Sequence, residues 1–349
     1  MKTAVVILNW NTKRYLQDFL PALVASCPDD AEVIVADNGS ADGSLEYVAD
    51  AFPGLRTVSL GANFGFTGGY NRALAQVEAE YFVLINSDIQ VSPGWLEPLV
   101  AYMDTHPECG VCGPKLHALL KGEDGGYVRA SRFEYAGAAG GKMDRLGYPY
   151  CRGRVLQRTE EDEGQYDRPS DLLWVSGACL LTRASLWREL GGLDDRFFAH
   201  MEEIDYCWRA QLKGWSVDVV PGSVVWHLGG GTLMPKSPWK LELNHRNNLL
   251  LLHKNLPATV GCGLAWLRIG IRMTLDWGSA LVYLLSGRPA DFRAVARAHR
   301  GYRKLRKDGS CRVSGRAGVK GYTKIFIILQ NFLRKDGVFS YLRHYEDNH

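Results

Sequence analysis

The sequence predicts an α/β fold: an open, mainly parallel sheet flanked by helices, with a helical extension at the C-terminal end. Three observations carry this. Short apolar runs rich in β-branched residues alternate with helical patterns over the first hundred residues. Unusual polar residues gather where those runs end. The charge also splits along the chain: residues 254–349 hold 18 Lys and Arg against 6 Asp and Glu, whereas residues 1–253 hold 23 against 32.

Taken in order, Ala4–Leu8, Val33–Ala36, Arg56–Leu60 and Tyr81–Ile85 are expected to be buried parallel strands. Between the first two, Thr12–Ser26 places Tyr15, Leu16, Phe19, Leu20, Leu23 and Val24 at helical spacing. Ser44–Ala51 and Gly69–Val77 fill the next gaps as helices, and Trp95–His106 reads as another. Strand–helix repeats of this length make right-handed crossovers. Residues 117–170, rich in Gly, Arg and acids, predict irregular loops with short strands. Leu172–Thr182 reads as a buried strand, then come helices over Arg183–Leu190 and Glu202–Lys213. Trp215–Val220 and Val224–His227 read as strands, and Ser237–Leu256 as a helix. No internal repeat is evident.

Beyond Pro257 the character changes. Leu264, Leu267, Ile271, Leu275, Leu281 and Leu285 form an apolar stripe, and Arg268, Arg272 and Asp276 fall on an opposite line. A dense basic helix over Arg288–Lys307 and a helix near Thr323–Leu333 follow. Such a tail predicts either a helix lying in an anionic membrane interface or a stripe packed on the body or on a second subunit.

The 349 residues, 46% hydrophobic and 23% charged, exclude a disordered or collagen-like chain. The apolar start at Ala4–Leu8 is too short for a signal peptide. No stretch reaches the roughly 18–20 uncharged residues of a membrane span. Eight cysteines at irregular spacings, with only Cys109 and Cys112 close, predict reduced and mostly buried thiols in a cytosolic protein.

In open α/β sheets, ligands bind at the carboxyl ends of the strands. Here those ends are Asn9–Asn11, Asp37–Ser40, Gly61–Gly65 and Asn86–Asp88. Asp37 can accept hydrogen bonds from a base or a ribose, though Asn38 and Ser40 beside it equally suit a turn. Asn63, Gly65, Gly68, Gly69 and Asn71 precede or open a helix, where backbone N–H groups can meet phosphate. The dinucleotide fingerprint is absent after the first strand. Asp88, after Asn86 and Ser87, suits a divalent cation on a diphosphate, or a helix cap. Glu202, Glu203 and Asp205 open an apolar-faced helix, as dipole partners or as a general base. His227 ends a strand where a metal ligand can sit.

The ordered series of these elements, with Trp174-Val-Ser176-Gly177 and Glu-Glu-x-Asp-x-Cys-Trp-Arg, resembles family 2 glycosyltransferases of the GT-A fold. That fold is Rossmann-like, a mixed sheet flanked by helices. The likeness covers about residues 3–256 and is nearest the rhamnosyltransferase-like branch that builds cell-surface polysaccharides and the cell wall. It implies a GT-A catalytic domain over 1–256, with a nucleotide half to about 115, and a basic amphipathic extension over 257–349. It further implies inverting transfer from a nucleotide-diphosphate sugar, a dTDP- or UDP-sugar such as dTDP-rhamnose, to a lipid-linked or saccharide acceptor.

By the same resemblance Asp37 contacts the nucleoside, Asp88 holds Mg²⁺ or Mn²⁺ on the diphosphate, His227 joins the metal or the diphosphate, and Glu203 is the base. Asn9, Asn11, Asn38, Ser40, Asn86, Ser87, Trp174, Ser176 and Gly177 line the donor site, and Arg246 and Asn247 contact phosphate or acceptor. Two departures stand out. Asn86 replaces the first acid of Asp-x-Asp, and Glu203 replaces Asp, so that Glu202 and Asp205 compete for the base role. The processive Gln-x-x-Arg-Trp element is absent, which favours single additions. The expected setting is the cytoplasm, peripheral at the inner face of the membrane, with no nucleic-acid partner and a possible homo-oligomer. A nucleotidyltransferase, or a non-catalytic sugar-nucleotide-binding scaffold, are the alternatives.

Overall fold

A computed structural model describes residues 1–123, 125–229, 237–307 and 318–348. The first half comprises β1 (Thr3–Asn9), α1 (Lys13–Ala25), β2 (Ala31–Asp37), α2 (Ser44–Ala51), β3 (Arg56–Ser59), α3 (Gly65–Leu74) and β4 (Tyr81–Ile85). β1 lies between β2 and β4, parallel to both, and β3 extends the ladder parallel to β2. The Val and Ile runs of β1, β2 and β4 are buried on both faces, as helices on either side of a parallel sheet require.

Next come β5 (Ile89–Gln90), α4 (Glu97–Thr105), β6 (Cys109–Lys121) and β7 (Tyr127–Phe133). A small antiparallel sheet follows, made of β8 (Gly141–Met143), β9 (Pro149–Cys151), β10 (Arg154–Val155) and β11 (Arg158–Thr159). The body closes with β12 (Cys179–Arg183), α5 (Ala184–Leu190), α6 (Glu202–Leu212) and β13 (Ser216–His227). β12 pairs antiparallel with β4 and β6, so the main sheet is mixed, in the order β3-β2-β1-β4-β12-β6-β13-β5, with β7 on β6. The tail adds α7 (Pro238–Val260), α8 (Cys262–Leu285), α9 (Pro289–Leu305), α10 (Ile327–Arg334) and α11 (Val338–Asp347).

Several expectations need correction. The strand expected over Leu172–Thr182 is confined to β12. Leu173 and Trp174 instead bond the carbonyl of Gly141, and Gln211 donates to the carbonyl of Leu172. The two strands expected over 215–227 are one, with a shift of register between Val219 and Val224, around Pro221-Gly222. Helix α3 starts at Gly65 rather than Gly69. Residues 117–170 are more regular than a loop region, because β6 runs to Lys121 and carries β7.

The tail holds the largest surprise. Helix α8 turns its charged line inward: Arg272 and Asp276 are buried, and half-buried Arg268 donates to the Tyr322 hydroxyl (2.6 Å). Asp276 meets Arg272 (3.0 Å), His245 of α7 (3.0 Å) and His299 of α9 (3.3 Å). The apolar stripe faces outward, with Leu267 60% and Leu285 79% exposed. The stripe therefore does not pack on the body. Residues 318–348 return to the small sheet: Thr323 N–H donates to the Met143 carbonyl (2.8 Å), and Glu346 pairs with Lys142 (2.9 Å) and Arg152 (3.1 Å).

Thiols are free at Cys27, Cys109, Cys112, Cys151, Cys179, Cys207 and Cys262, and all but Cys27 and Cys262 are buried. Cys311 lies outside the described residues. Among the described residues, no helix is long and apolar enough to cross a membrane.

Candidate functional site

The site is assembled at the carboxyl ends of β1, β2 and β4. Asn9 ends β1 and donates to Asp37 Oδ1 (2.9 Å) and to Ser40 Oγ (2.9 Å). Asp37, at the end of β2, also accepts from the N–H groups of Gly39 (3.2 Å) and Ser40 (3.0 Å). Its carboxylate thus builds the turn that the sequence allowed, and three of its lone pairs are engaged. Asn11 sits at φ 52° and its Oδ1 accepts from Ala41 N–H (2.8 Å), closing the β1 loop on the β2 loop.

The glycine-rich segment departs from its expected role. Asn38 reaches across to Asn63 Oδ1 (3.1 Å) and the Gly65 carbonyl (3.0 Å). The N–H groups of Phe66 and Thr67, in the first turn of α3, donate to the carbonyl of Phe198 (2.7 and 3.2 Å). Those two donors are therefore not turned to a phosphate. A Cβ on Gly65 would meet the Phe198 ring at 2.5 Å, and one on Gly69 would meet Leu8 at 2.7 Å. The glycines let α3 lie close on β1 and on the loop before α6. On Gly68, a Cβ would stand 3.0 Å from Phe64 and Arg72. Asn71 is fully engaged with Leu193 and Asp195 and ties α3 to that loop.

Asp88 and His227 do come together. β13 pairs with β5 so that His227 lies opposite Ile89, next to Asp88. His227 Nε2 is 3.2 Å from Asp88 Oδ1, and both side chains are buried. On the other ring nitrogen, Nδ1 stands 3.3 Å from Glu134 Oε2. Burial would lower the imidazole pKa, but the Asp88 and Glu134 carboxylates outweigh it and raise it well above its ordinary value. Glu134 follows β7 and was missed by the sequence reading. Its local sequence is a loop with no metal-like spacing, so no signal pointed to it.

The donor set fits a hard divalent cation. Adjacent ligands about 2.0–2.1 Å from an octahedral ion stand roughly 3 Å apart, close to the 3.2 Å between Asp88 Oδ1 and His227 Nε2. Among the described residues, no group of three or more His, Cys, Asp or Glu converges on one point. One or two protein ligands plus substrate phosphates is the usual arrangement for Mg²⁺. Asn86 donates its backbone N–H to the Ala178 carbonyl (2.9 Å), and Ser87 is buried beside it.

The 174–178 segment links this corner to the acids of α6. Trp174 is buried, its indole N–H directed to the Lys142 carbonyl (3.3 Å). Ser176 donates to the Ala136 carbonyl (2.9 Å), two residues from Glu134. A Cβ on Gly177 would lie 3.2 Å from the Glu203 Cβ, so the backbone here faces the base candidate directly. The same short segment therefore touches Asn86, the Glu134 loop and Glu203.

The three acids of α6 differ sharply. Asp205 is fully buried and accepts from Arg209 (2.7 Å), Lys254 (2.8 Å) and Asn255 (2.9 Å). Burial raises its pKa, but Lys254 and Arg209 outweigh that and lower it. It is an anchor between α6 and α7, which removes it from the competition for the base. Glu202 and Glu203 each keep a buried, unpartnered Oε2. Burial pushes both upward: Glu202 well above the ordinary carboxylate range, with the Glu203 charge adding to it, and Glu203 to about 7.

The loop before α6 is strained, with Phe198, His200 and Met201 at positive φ (64°, 71° and 72°). Such backbone is disfavoured for residues other than glycine. Asn247 of α7 holds it, its Nδ2 lying 2.9, 2.8 and 2.7 Å from the carbonyls of Phe197, Ala199 and His200. Arg246 donates to the carbonyls of Phe197 (2.8 Å) and Arg196 (3.3 Å). Both residues, expected on phosphate or acceptor, instead shape the loop that presents the acids. Gly230 and Gly231, after His227, lie outside the described residues.

Residues 4–168 match the model of glycosyl transferase family 2. The N-acetylglucosaminyl-diphospho-decaprenol L-rhamnosyltransferase of Mycobacterium tuberculosis is 28% identical over 293 residues, covering 79% of this chain and 90% of that protein. The pre-mycofactocin glycosyltransferase of the same organism is 25% identical, covering 56% of this chain and 37% of that protein. Among solved structures, GalNAc-T7 with UDP, GalNAc and Mn²⁺ aligns at TM-score 0.56 and 16% identity, covering 72% of this chain and 47% of that one. A mannosyltransferase from Pyrobaculum calidifontis, with GDP-Man and Mn²⁺, aligns at TM-score 0.50 and 14% identity, covering 88% of this chain and 76% of that one. At these identities the likeness shows the fold alone, which is GT-A.

Proposed function

Since the chain is a family 2 glycosyltransferase, we propose that it transfers a sugar, with inversion, from a nucleotide-diphosphate donor to a hydroxyl of a lipid-linked acceptor. The donor we propose is dTDP- or UDP-linked, rhamnose first among candidates because the mycobacterial relative is named a rhamnosyltransferase acting on a decaprenyl-diphosphate carrier. The product would enter cell-surface polysaccharide.

One observation carries the reading. A buried carboxylate–imidazole pair, Asp88–His227, and an acid held near neutral pH, Glu203, flank segment 174–178, whose Ala178 carbonyl accepts from the Asn86 N–H two residues before Asp88 and whose Gly177 faces Glu203. Inversion is one in-line displacement, so one base is enough. Glu203 Oε2 takes the proton of the acceptor hydroxyl as its oxygen attacks the anomeric carbon. The bond from that carbon to the diphosphate breaks, and the nucleoside diphosphate departs with the electron pair. Glu202, held protonated by burial, leaves Glu203 as the acid that ionises. Asp88 and His227 would hold Mg²⁺ or Mn²⁺, which supplies neutralisation of the charge growing on the leaving diphosphate. A nucleotidyltransferase would instead consume a nucleoside triphosphate and release pyrophosphate.

We further propose that the enzyme works at a membrane face, in the cytoplasm and peripheral to the bilayer. The outward apolar stripe of α8 carries no charged side chain among its exposed positions. Every exposed charged side chain of the neighbouring α9 is basic: Arg293, Arg297, Arg300, Arg303 and Lys304. Apolar area beside basic charge is the pattern of helices that lie in anionic interfaces.

A donor screen tests the reaction. Purified protein is incubated with a panel of nucleotide sugars, polyprenyl-diphosphate acceptor, and Mg²⁺, Mn²⁺ or EDTA, and nucleoside diphosphate release is followed. Release from one donor, lost in EDTA, is the expected result. Pyrophosphate release from a nucleoside triphosphate would overturn the assignment.

A further inference from the structure

Seven Lys and Arg side chains are buried among the described residues. Six of them, Lys115, Lys142, Arg152, Arg209, Lys254 and Arg272, meet a carboxylate at 3.1 Å or less. Arg154, only 8% exposed, meets none. Its Nε has no partner, and Nη1 and Nη2 reach the Leu156 carbonyl and the Cys151 sulfur only at 3.4 and 3.5 Å. A buried charge without a counter-charge is costly, and a fold keeps such a cost where function needs it. We propose that Arg154 is an oxyanion subsite for the acceptor, its guanidinium taking the diphosphate of the lipid carrier beside the exposed ring of Tyr135. This rests on the lipid-linked acceptor reading above.

The fold holds the guanidinium in place. Arg154 lies in β10, opposite Cys151 of β9 and Thr159 of β11. The Glu160 N–H donates to the Gly153 carbonyl (3.0 Å), and the Phe133 N–H donates to the Glu160 carbonyl (2.9 Å), so the small sheet is tied to the end of β7. Gly153, at φ 88°, admits the Phe133 ring, which a Cβ there would overlap. Two residues beyond Phe133, the Tyr135 ring lies 4.5 Å from Arg154 Cζ and is 47% exposed. A guanidinium stacked on a ring keeps its edge for hydrogen bonds, and that planar fork matches phosphate oxygens.

The surroundings favour the acceptor over the donor. Burial pushes the Cys151 thiol up, Arg154 opposes this, and the Glu134 and Glu203 charges add to it. The sulfur that Nη2 touches is thus within electrostatic reach of Glu203, the base that the acceptor hydroxyl must meet. The donor diphosphate has a cation at Asp88 and His227 to neutralise it in the proposed reaction, whereas the carrier diphosphate needs a cation of its own. Arg246 does not supply it, being committed to the carbonyls of Phe197 and Arg196.

The test is calorimetric titration of wild type, Arg154→Met and Arg154→Lys with farnesyl diphosphate in EDTA, beside titration with UDP and with dTDP in Mn²⁺. Farnesyl diphosphate carries a diphosphate on a short polyprenyl chain, and EDTA keeps the cation site out of the reading. Arg154→Met is expected to weaken farnesyl diphosphate binding by about 10–100-fold and to leave nucleoside diphosphate binding unchanged. Arg154→Lys, which keeps the charge and loses the fork, is expected to lose less. In urea denaturation Arg154→Met should be no less stable than wild type, because an unpaired buried charge is removed. A fall for the nucleoside diphosphates as large as that for farnesyl diphosphate would give the guanidinium to the donor and overturn the assignment. Equal affinities in all three proteins, or no farnesyl diphosphate binding by wild type, would overturn it as well. If Arg154→Met does not fold, Arg154→Lys decides alone: weaker farnesyl diphosphate binding with nucleotide binding kept supports the subsite, and unchanged binding overturns it. No turnover is needed, so a failed donor screen does not decide this result, and failure here leaves the transferase reading standing.

Discussion

Glu203 shows how much one side chain's surroundings decide. Its neighbour two positions on, Asp205, is a stronger acid by chemistry and more buried, yet Lys254, Arg209 and Asn255 occupy its oxygens. Glu203 keeps an oxygen without a partner. Replacing it by glutamine should cut turnover by about 10²–10⁴-fold with donor binding retained, as measured by steady-state rates beside calorimetry. The sign of the pH dependence follows from its raised pKa of about 7. The base form appears as pH rises through that value, so kcat should climb on an acidic limb centred near 7. The same shift works against folding. The folded chain keeps a proton that the unfolded chain releases above the ordinary value of 4.5, so Glu203 removes stability as pH rises from there to about 7. A rate profile centred near 4.5 would sink the assignment.

At the scale of elements, the site depends on two close approaches. Helix α3 reaches β1 because Gly69 has no Cβ, which would otherwise meet Leu8 at 2.7 Å. Gly69→Ala should therefore lower stability by about 1–3 kcal/mol in urea denaturation, through overpacking. The strained loop before α6 depends on Asn247 of α7, buried and near three of its carbonyls. Asn247→Ala should lower stability by about 1–3 kcal/mol. It should lower kcat more than donor affinity, because the acids move while the β1–β2 loops do not. Equal loss of both would argue that Asn247 touches the donor itself. The elements were largely legible in the sequence. Strands β1 to β4 and helices α1, α2, α5 and α6 follow from runs of Val, Ile and Leu and from helical spacing. The glycine segment misled because glycine before a helix serves phosphate approach and tight packing equally, and only the position of Phe198 and Leu8 separates the two.

For the whole molecule, the tail reverses the ordinary rule that a helix buries its apolar face. The buried Arg272–Asp276 pair, met by His245 and His299, lets α8 present leucines to the outside. Vesicles containing anionic phosphatidylglycerol should bind the protein, and each basic residue near the surface is worth roughly 1 kcal/mol. Leu267→Glu with Leu285→Glu should abolish co-sedimentation while leaving the fold intact, since both side chains are exposed. Rising salt should weaken binding progressively. A concentration-dependent dimer broken by the same pair, with no vesicle binding, would give this face to a second copy instead.

What the sequence determined by itself is the order of elements and the sheet-end location of the polar residues, which follow from periodicity and residue chemistry, local properties both; the choice of Asp88, His227 and Glu203 as the groups to examine came from the resemblance of their ordered series to family 2 glycosyltransferases. Only the tertiary structure decided that Glu202 and Glu203, but not Asp205, keep an unpartnered oxygen, that Glu134 stands against His227, that Asn71, Arg246 and Asn247 hold loops, and which face of α8 is outward. Each of those depends on partners distant in the chain: 49 positions separate Lys254 from Asp205. A contact between remote residues leaves no spacing in the sequence to be read.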